Sequence, residues 1–503
     1  MKILMVSAEA QPFAKTGGLA DVVSALSKSL KKLGHDVKIL IPRYYEIDRK
    51  DLTIVSRNVQ VLTGIGEIIG SFYTKNLPNS DVPVYFFDYE PLFGRKEIYG
   101  SKFEPDFHDN PFRFSVLSRA MFSLCSELNW IPDIVHCHDW SSCMALVLLK
   151  LLKQNFKDSN EQKLPFFKNF ALKIPLSSFK NIKSVLTIHN MGYQGKYPYD
   201  AYKLLGLPEE IRFLTGFENS GSINFLKAGI TCADKITTVS CEYAKEIQTP
   251  EGGFSLDGLI RIRSADLQGI LNGVDTQDWN PAVDKYIACN YSQNNLSGKK
   301  ECKLFLQKKF ALEQNPKIPL IGMIGRLAEQ KGINEVFAPF YGCMFRMCKE
   351  LNVQFVIVGT GESWCENEIR QLAQNCFNLK YIIGYSEEIS HQVESGSDFF
   401  LMPSKYEPCG LNQIYSMLYG TVPIVRNTGG LADTVVQYNQ REHSGTGFKF
   451  QDLTPDAIFN TVKYAINTYF TNPQDIENLR KEGMKADFTW EKSALKYLKV
   501  YSS

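Results

Sequence analysis

Short β-branched runs alternate with amphipathic stretches along most of the chain, the pattern of βαβ units feeding a parallel sheet. In the first half, residues 3–6, 37–41, 84–87, 134–136, 185–189 and 236–239 predict strands. In the second half, residues 320–324, 355–358, 381–383, 399–402 and 422–425 do so, each followed by a Gly- or Pro-punctuated loop and a helical pattern. Two doubly wound α/β domains are the simplest reading. The alternation lapses from about 272 to 319, where polar residues crowd, so the crossover is expected near Ile270. Residues 153–180 mix Lys, Asn, Pro and Phe between a helix and a strand. They are expected to form a surface insertion or an extended helix-loop, with a mobile flap as the alternative. No solenoid repeat or low-complexity tract interrupts the plan.

A chain of 503 residues suits two or three domains. Apolar residues at 44% against 22% charged describe a globular protein rather than a disordered one. Lys plus Arg number 56 and Asp plus Glu 54, so no basic excess points to nucleic acid. No apolar run approaches the ~18–20 residues that span a bilayer, and the N-terminal apolar run stops before Glu9, too early for a secretory leader. Twelve cysteines without a Cys-x-x-Cys pair indicate neither a zinc knuckle nor a disulfide scaffold. Free thiols in a reducing cytoplasm are expected.

Candidate chemistry gathers at strand ends. Lys15-Thr16-Gly17-Gly18 follows the first strand, and Val22, Val23, Leu26, Leu30 and Leu33 then recur at helical spacing past Asp21. A Gly-Gly turn that opens a helix leaves room for close backbone approach and aims free N–H groups at an anion, with Lys15 adding a full charge. The same residues would also serve as a plain strand-to-helix turn. In the second half, Gly325-Arg326-Leu327 leads to Lys331-Gly332. A guanidinium fork and an ammonium at one strand end suit a diphosphate, and both would otherwise be solvated loop cations. Glu407-Pro408-Cys409-Gly410-Leu411 places a carboxylate in a constrained loop, suited to sugar hydroxyls or to charge at an anomeric carbon. Thr428-Gly429-Gly430-Leu431 is a second Gly-Gly turn opening a helix. His189-Asn190 with Gln194 brings an imidazole and two amides to one strand end, and His136-Cys137-His138-Asp139-Trp140 offers two histidines on one strand face and Asp139 on the other. With no third ligand near in sequence, no metal site is expected, and Asp139 and Trp140 are read as shaping an acceptor surface.

Taken together these motifs resemble the bacterial glycogen synthase and plant starch synthase family, retaining glucosyltransferases of the GT-B fold. The resemblance rests on Lys15-Thr-Gly-Gly18 with Asp21, His136-Cys-His-Asp-Trp140, Thr187-Ile-His-Asn190 with Tyr193-Gln-Gly195, and Asn272-Gly-Val-Asp275. It continues through Gly325-Arg-Leu327 with Gln330-Lys-Gly332, Glu407-Pro-Cys-Gly-Leu411 and Thr428-Gly-Gly-Leu-Ala-Asp433, in order, up to Trp490-Glu-Lys-Ser. It implies two Rossmann-like domains separated by a deep cleft: an acceptor-side domain over 1–269, joined by a C-terminal helix over 487–503, and a nucleotide-sugar domain over 270–486. It implies glucose transfer from ADP-glucose, or UDP-glucose, to the 4-hydroxyl of an α-1,4-glucan or malto-oligosaccharide, with retention and without cofactor or metal.

In the family's scheme Arg326 and Lys331 bind the diphosphate, Lys15 approaches it as the cleft closes, and Glu407 lies by the ribose and glucose. Tyr385 corresponds to the residue that packs against adenine and His189 to the one that touches the transferred glucose. Thr428, Gly429, Gly430 and Leu431 form the phosphate-facing turn. Gly17, Gly18, Asp21, His138, Asp139, Asn190, Gln194, Asn272, Cys409, Gly410 and Leu411 complete the substrate-binding set. The sequence departs from the family in the long 153–180 connection and in Pro111 at the start of a helix. It leaves the oligomeric state open, a homo-oligomer included. A transferase making a small glucoside from UDP-glucose, and a silent glucan-binding scaffold, are the competing readings. The set Lys15, His189, Arg326, Lys331 and Glu407 argues against the scaffold. The absence of a dinucleotide fingerprint argues against an oxidoreductase.

Overall fold

The computed structural model describes residues 1–157 and 172–503. Residues 158–171, half of the predicted 153–180 insertion, lie outside the described residues. The chain divides into two compact units. The first comprises Met1–Val239, Ala244–Gly273 and Trp490–Ser503, and the second Ser240–Tyr243 and Val274–Thr489. The passage between them thus falls at Gly273–Val274, a few residues beyond Ile270, and the return at Thr489–Trp490. Both units are mixed α/β with parallel sheets, the class expected from the alternation of strand and helix patterns.

The first unit carries the strands β1 (Lys2–Val6), β2 (Asp36–Pro42), β3 (Thr53–Thr63), β4 (Gly66–Asn76), β5 (Pro83–Asp88), β6 (Ile134–His138) and β7 (Lys183–Ile188). After these come β8 (Lys196–Pro198), β9 (Glu218–Asn219), β10 (Ser222–Asn224), β11 (Lys235–Thr238) and β12 (Leu267–Gly269). Nine of them form one sheet in the order β12-β11-β7-β6-β1-β2-β5-β4-β3, and β8, β10 and β9 form a small antiparallel sheet. From β12 to β5 neighbouring strands are parallel, and β5-β4-β3 is an antiparallel extension. β1 lies at the centre, buried on both faces, which explains its unbroken apolar run. Helix Gly18–Lys32 turns Leu19, Val22, Val23, Leu26 and Leu30 inward and ends on Lys31 and Lys32, the sign its C-terminal dipole favours. Pro111 falls in the first turn of helix Asn110–Glu127, where its missing N–H removes no helical bond.

The C-terminal helix Trp490–Ser502 belongs to the first unit. Ser493 Oγ donates to the Leu271 carbonyl at 2.6 Å, and the Tyr501 hydroxyl lies 2.8 Å from His136 Nδ1.

The second unit holds β13 (Leu320–Ile324), β14 (Gln354–Gly359), β15 (Leu379–Ile383), β16 (Phe399–Met402), β17 (Val422–Arg426) and β18 (Phe448–Phe450) in the order β15-β14-β13-β16-β17-β18, all parallel. The chain winds outward from β13 to β15, then returns to the other side of β13 at β16. That reversal opens a crevice at the carboxyl ends of β13 and β16, the place where open α/β sheets bind ligands. The 272–319 stretch is tied to the unit by side chains rather than by strands. Trp279 is stacked between His391 and Tyr415, with ring centroids 3.9 and 3.7 Å away, and Asp284 accepts from His391 and Tyr419.

Candidate active site

In the second unit, three loops leave the neighbouring strands β13, β16 and β17 and pack on one another. Gly332 has φ of +71°, and a Cβ there would stand 2.0 Å from the Pro403 carbonyl, so the loop after β13 lies directly against the end of β16. A Cβ on Gly430 would stand 1.9 Å from the Cys409 carbonyl, and the Gly430 amide donates to the Glu407 carbonyl at 2.9 Å, joining the loops after β16 and β17. Only glycine permits either approach.

At the centre Lys331 Nζ lies 2.5 Å from Glu407 Oε2, which also accepts from Ser404 Oγ at 3.0 Å. Glu407 is buried and the Lys331 side chain is 23% exposed. Arg326 is exposed, and its guanidinium meets no acceptor among the described residues. The crevice between Arg326, Lys331, Met402 and Ser404 therefore offers one free and one paired cation. Ser404 was missed in the sequence because a serine after a strand has no distinctive spelling. Tyr385, just past β15, is 74% exposed. Leu411 and Gly410 are half-buried in the loop, and Cys409 is buried, its carbonyl accepting from Gln413 at 3.0 Å.

The Thr428–Leu431 turn, expected to face phosphate, also packs against the neighbouring loop. Its helix, Gly429–Thr434, is six residues long, the Gly430 amide is already committed to Glu407, and Leu431 is fully buried with Phe400, Met402 and Val425. Through Gly430 it holds the Glu407 loop.

In the first unit, Lys15 Nζ is 2.7 Å from Asp21 Oδ1, and both groups are solvent-accessible on an exposed Lys15-Thr16-Gly17-Gly18 loop. A Cβ at Gly17 would meet nothing within 4 Å, and φ there is extended, so neither strain nor internal packing calls for glycine.

His189 lies past β7 beside His138 from β6, with His138 Nδ1 at 3.0 Å from His189 Nε2. His138 is fully buried behind His189, and its Nε2 has no hydrogen-bond partner among the described residues. His136 stacks on His138 at 4.3 Å and is held by Tyr501 and by Thr187 Oγ1 at 2.6 Å. Burial drives the pKa of all three histidines down, to about 3 for His136 and His189, so the cluster is neutral. The two histidines of the His136-Cys-His138 segment thus gain a third neighbour from a different strand. Among the described residues no group of His, Cys, Asp and Glu is placed to hold a metal ion.

Asp139 has φ of +55° and accepts from the amides of His189, at 2.7 Å, and Asn190. Desolvation lifts its carboxyl to about 7. Asn190 Oδ1 closes a turn onto the Gly192 amide at 2.9 Å. Gln194, expected at a sugar, is buried, with its amide on the carbonyls of Met191 and Phe254 and its oxygen accepting from Asn224. It is a structural brace. Asn272 is also buried, and its Oδ1 has no partner among the described residues.

One unit has cations and a carboxylate at the switch point of a parallel sheet, and the other has a cation loop and a neutral histidine cluster, the features of a glycosyltransferase of the GT-B class. Residues 2–167 and 169–262 match the starch synthase catalytic domain, and residues 305–484 match glycosyl transferases group 1. The chain belongs to the glycogen and starch synthase family, whose glucosyl transfer elongates glycogen or starch. It is 49% identical to glycogen synthase of Treponema denticola, over 100% of this chain and 98% of the relative, and 41% identical to glycogen synthase 1 of Geobacter metallireducens, over 100% and 95%. The catalytic domain of starch synthase IV from Arabidopsis thaliana bound to ADP and acarbose superimposes with a TM-score of 0.83 at 29% identity, covering 100% of this chain and 98% of that one. Sucrose-phosphate synthase from Thermosynechococcus elongatus shares the fold, with a TM-score of 0.58 at 16% identity.

Proposed function

We propose that the donor is ADP-glucose and that glucose passes, with retention, to the non-reducing-end 4-hydroxyl of an α-1,4-glucan or malto-oligosaccharide. The observation that carries this reading is the Arg326, Lys331, Glu407 and Ser404 group at the β13/β16 switch point. Breaking the anomeric C–O bond leaves the electron pair on the diphosphate oxygen of ADP and positive charge on the sugar. Arg326 and Lys331 stabilise the leaving diphosphate, with Lys15 as a third cation from the first unit. Glu407 balances the developing positive charge while orienting Lys331. The acceptor oxygen adds to the face the diphosphate leaves, and its proton goes to the departing phosphate oxygen. Tyr385 is assigned to the adenine, and His189, Asp139 and Asn190 to sugar hydroxyls.

With three cations assigned to the leaving group, the reaction requires no metal. The name of the Arabidopsis relative, which binds ADP and acarbose, supports the adenine nucleotide. The twelve cysteines are free thiols, most of them buried, which suits a reducing cytoplasm. No helix among the described residues is long and apolar enough to cross a membrane. The test is incorporation of label from ADP-glucose or UDP-glucose into glycogen, with and without chelator. Transfer from ADP-glucose that needs glycogen and ignores chelator is expected. Transfer from UDP-glucose alone overturns the donor assignment, and no transfer by folded protein overturns the reaction.

A further inference from the structure

Glu9 follows β1 in an Ala-Glu-Ala segment and looks like an ordinary surface acid in sequence, yet it is 2% exposed. Its carboxylate accepts from the Thr16 amide at 2.5 Å, Thr16 Oγ1 at 2.8 Å, the Tyr99 hydroxyl at 2.8 Å and the Gly17 amide. Thr16 and Gly17 are themselves exposed and form the middle of the Lys15-Thr16-Gly17-Gly18 loop. One buried group thus holds both central amides of the loop, beside the Lys15–Asp21 ion pair at its start. Tyr99 fixes the carboxylate from the far side, its ring 6.0 Å from Trp140 and 5.9 Å from Phe114. A buried carboxylate is costly unless its bonds are made, and this one spends its acceptors on a loop whose backbone could otherwise be solvated.

We infer that Glu9 is the positioning residue for Lys15: it anchors Thr16 and Gly17 so that the ammonium one residue before them is held where the donor diphosphate will be. The inference rests on the assignment of Lys15 to the diphosphate made above. Glu9 touches no reacting atom and acts through the loop. Glu9→Gln keeps the volume but turns one acceptor into a donor facing the loop amides. Thr16→Val and Tyr99→Phe each delete one hydroxyl bond to the carboxylate.

In the full-length protein, Glu9→Gln is expected to lower kcat for glucosyl transfer about tenfold or more, with KM for glycogen little changed, because a misplaced charge costs rate more than acceptor binding. Thr16→Val and Tyr99→Phe shift kcat in the same direction by less. Adding Glu9→Gln to Lys15→Ala costs little beyond Lys15→Ala alone, since the two act through one interaction. Hydrogen exchange at the Thr16 and Gly17 amides accelerates about tenfold or more in Glu9→Gln. Independent, multiplying losses in the double variant overturn the inference. So does unchanged amide exchange, which is read without any turnover. Should the wild type transfer no glucose while exchange still responds to Glu9→Gln, the anchor stands and the functional reading falls. If Glu9→Gln does not fold, Thr16→Val with unchanged kcat and unchanged exchange overturns it equally.

Discussion

Lys331 Nζ and Glu407 Oε2 stand 2.5 Å apart, the ammonium partly open to the crevice and the carboxylate buried behind it. From sequence, Lys331 looks like an exposed loop cation whose loss would leave folding untouched. The ion pair changes that expectation. Lys331→Ala strands a buried carboxylate, which costs about 1–3 kcal/mol, and removes a leaving-group cation. The variant is expected to melt earlier than wild type and to lose about 100-fold or more in kcat/KM. Lys331→Ala/Glu407→Gln should recover the melting temperature without recovering transfer, as read by calorimetry beside label incorporation.

Two glycines separate folding from function. Gly430→Ala would drive a Cβ into the Cys409 carbonyl at 1.9 Å, and backbone cannot swing aside as a side chain does. A stability loss of about 2 kcal/mol or more is expected, along with displacement of the Glu407 loop and lost transfer. Gly17→Ala meets open space in an extended backbone. Its melting temperature should match wild type, while transfer falls about tenfold or more because the Cβ obstructs what the loop approaches. Full activity in Gly17→Ala would place the donor away from that loop.

Asp139 gives a pH signature. Its folded carboxyl, lifted to about 7 by burial, accepts two backbone amides as the anion. As pH falls through about 7 the group protonates and loses acceptor capacity, so kcat/KM should decline with the titration of one group, and Asp139→Asn should flatten that limb. Stability moves oppositely. Because the folded pKa lies above the ordinary 3.8, the fold binds the extra proton between about 4 and 7, and this group's contribution is lost as pH rises through 7. Asp139→Asn should therefore gain on wild type in urea midpoint at pH 8 relative to pH 5.

The central strands were legible because they are buried on both faces: β1, β13 and β16 spell nearly continuous apolar runs, and β6 and β7 carry β-branched residues among a few buried polar ones. The β3-β4 hairpin was not. It lies at the sheet edge with Ile54 and Ile69 exposed, and register shifts between Ile54, Ser56 and Val59 break the period of two. The three-residue strands β8, β10, β12 and β18 are too short to carry a period at all. The strand-end loops announced themselves through glycine next to charge. Residues whose roles come from distant partners did not. Glu9 meets Tyr99 ninety residues on, and His138, in the buried strand β6, meets His189 fifty-one residues on.

The His136 ring ties the C-terminal helix to the first sheet as a neutral group, and that neutrality should be measurable. Burial lowers its pKa from 6.5 to about 3, while the unfolded chain titrates near 6.5. Between those values the unfolded state binds a proton that the folded state refuses, so stability is lost as pH falls below 6.5. For one group the slope is about 1.4 kcal/mol per pH unit. His136→Gln has no proton to refuse. It still reaches toward Tyr501 or Thr187, so it should fold, with a lower urea midpoint than wild type at pH 7.5. The gap between wild type and variant should then narrow at about that slope from pH 6 to pH 4.5, with His138 and His189 titrating alike in both and cancelling. A gap that stays constant with pH would mean that His136 is charged in the fold, and the Tyr501 hydroxyl would then be its acceptor.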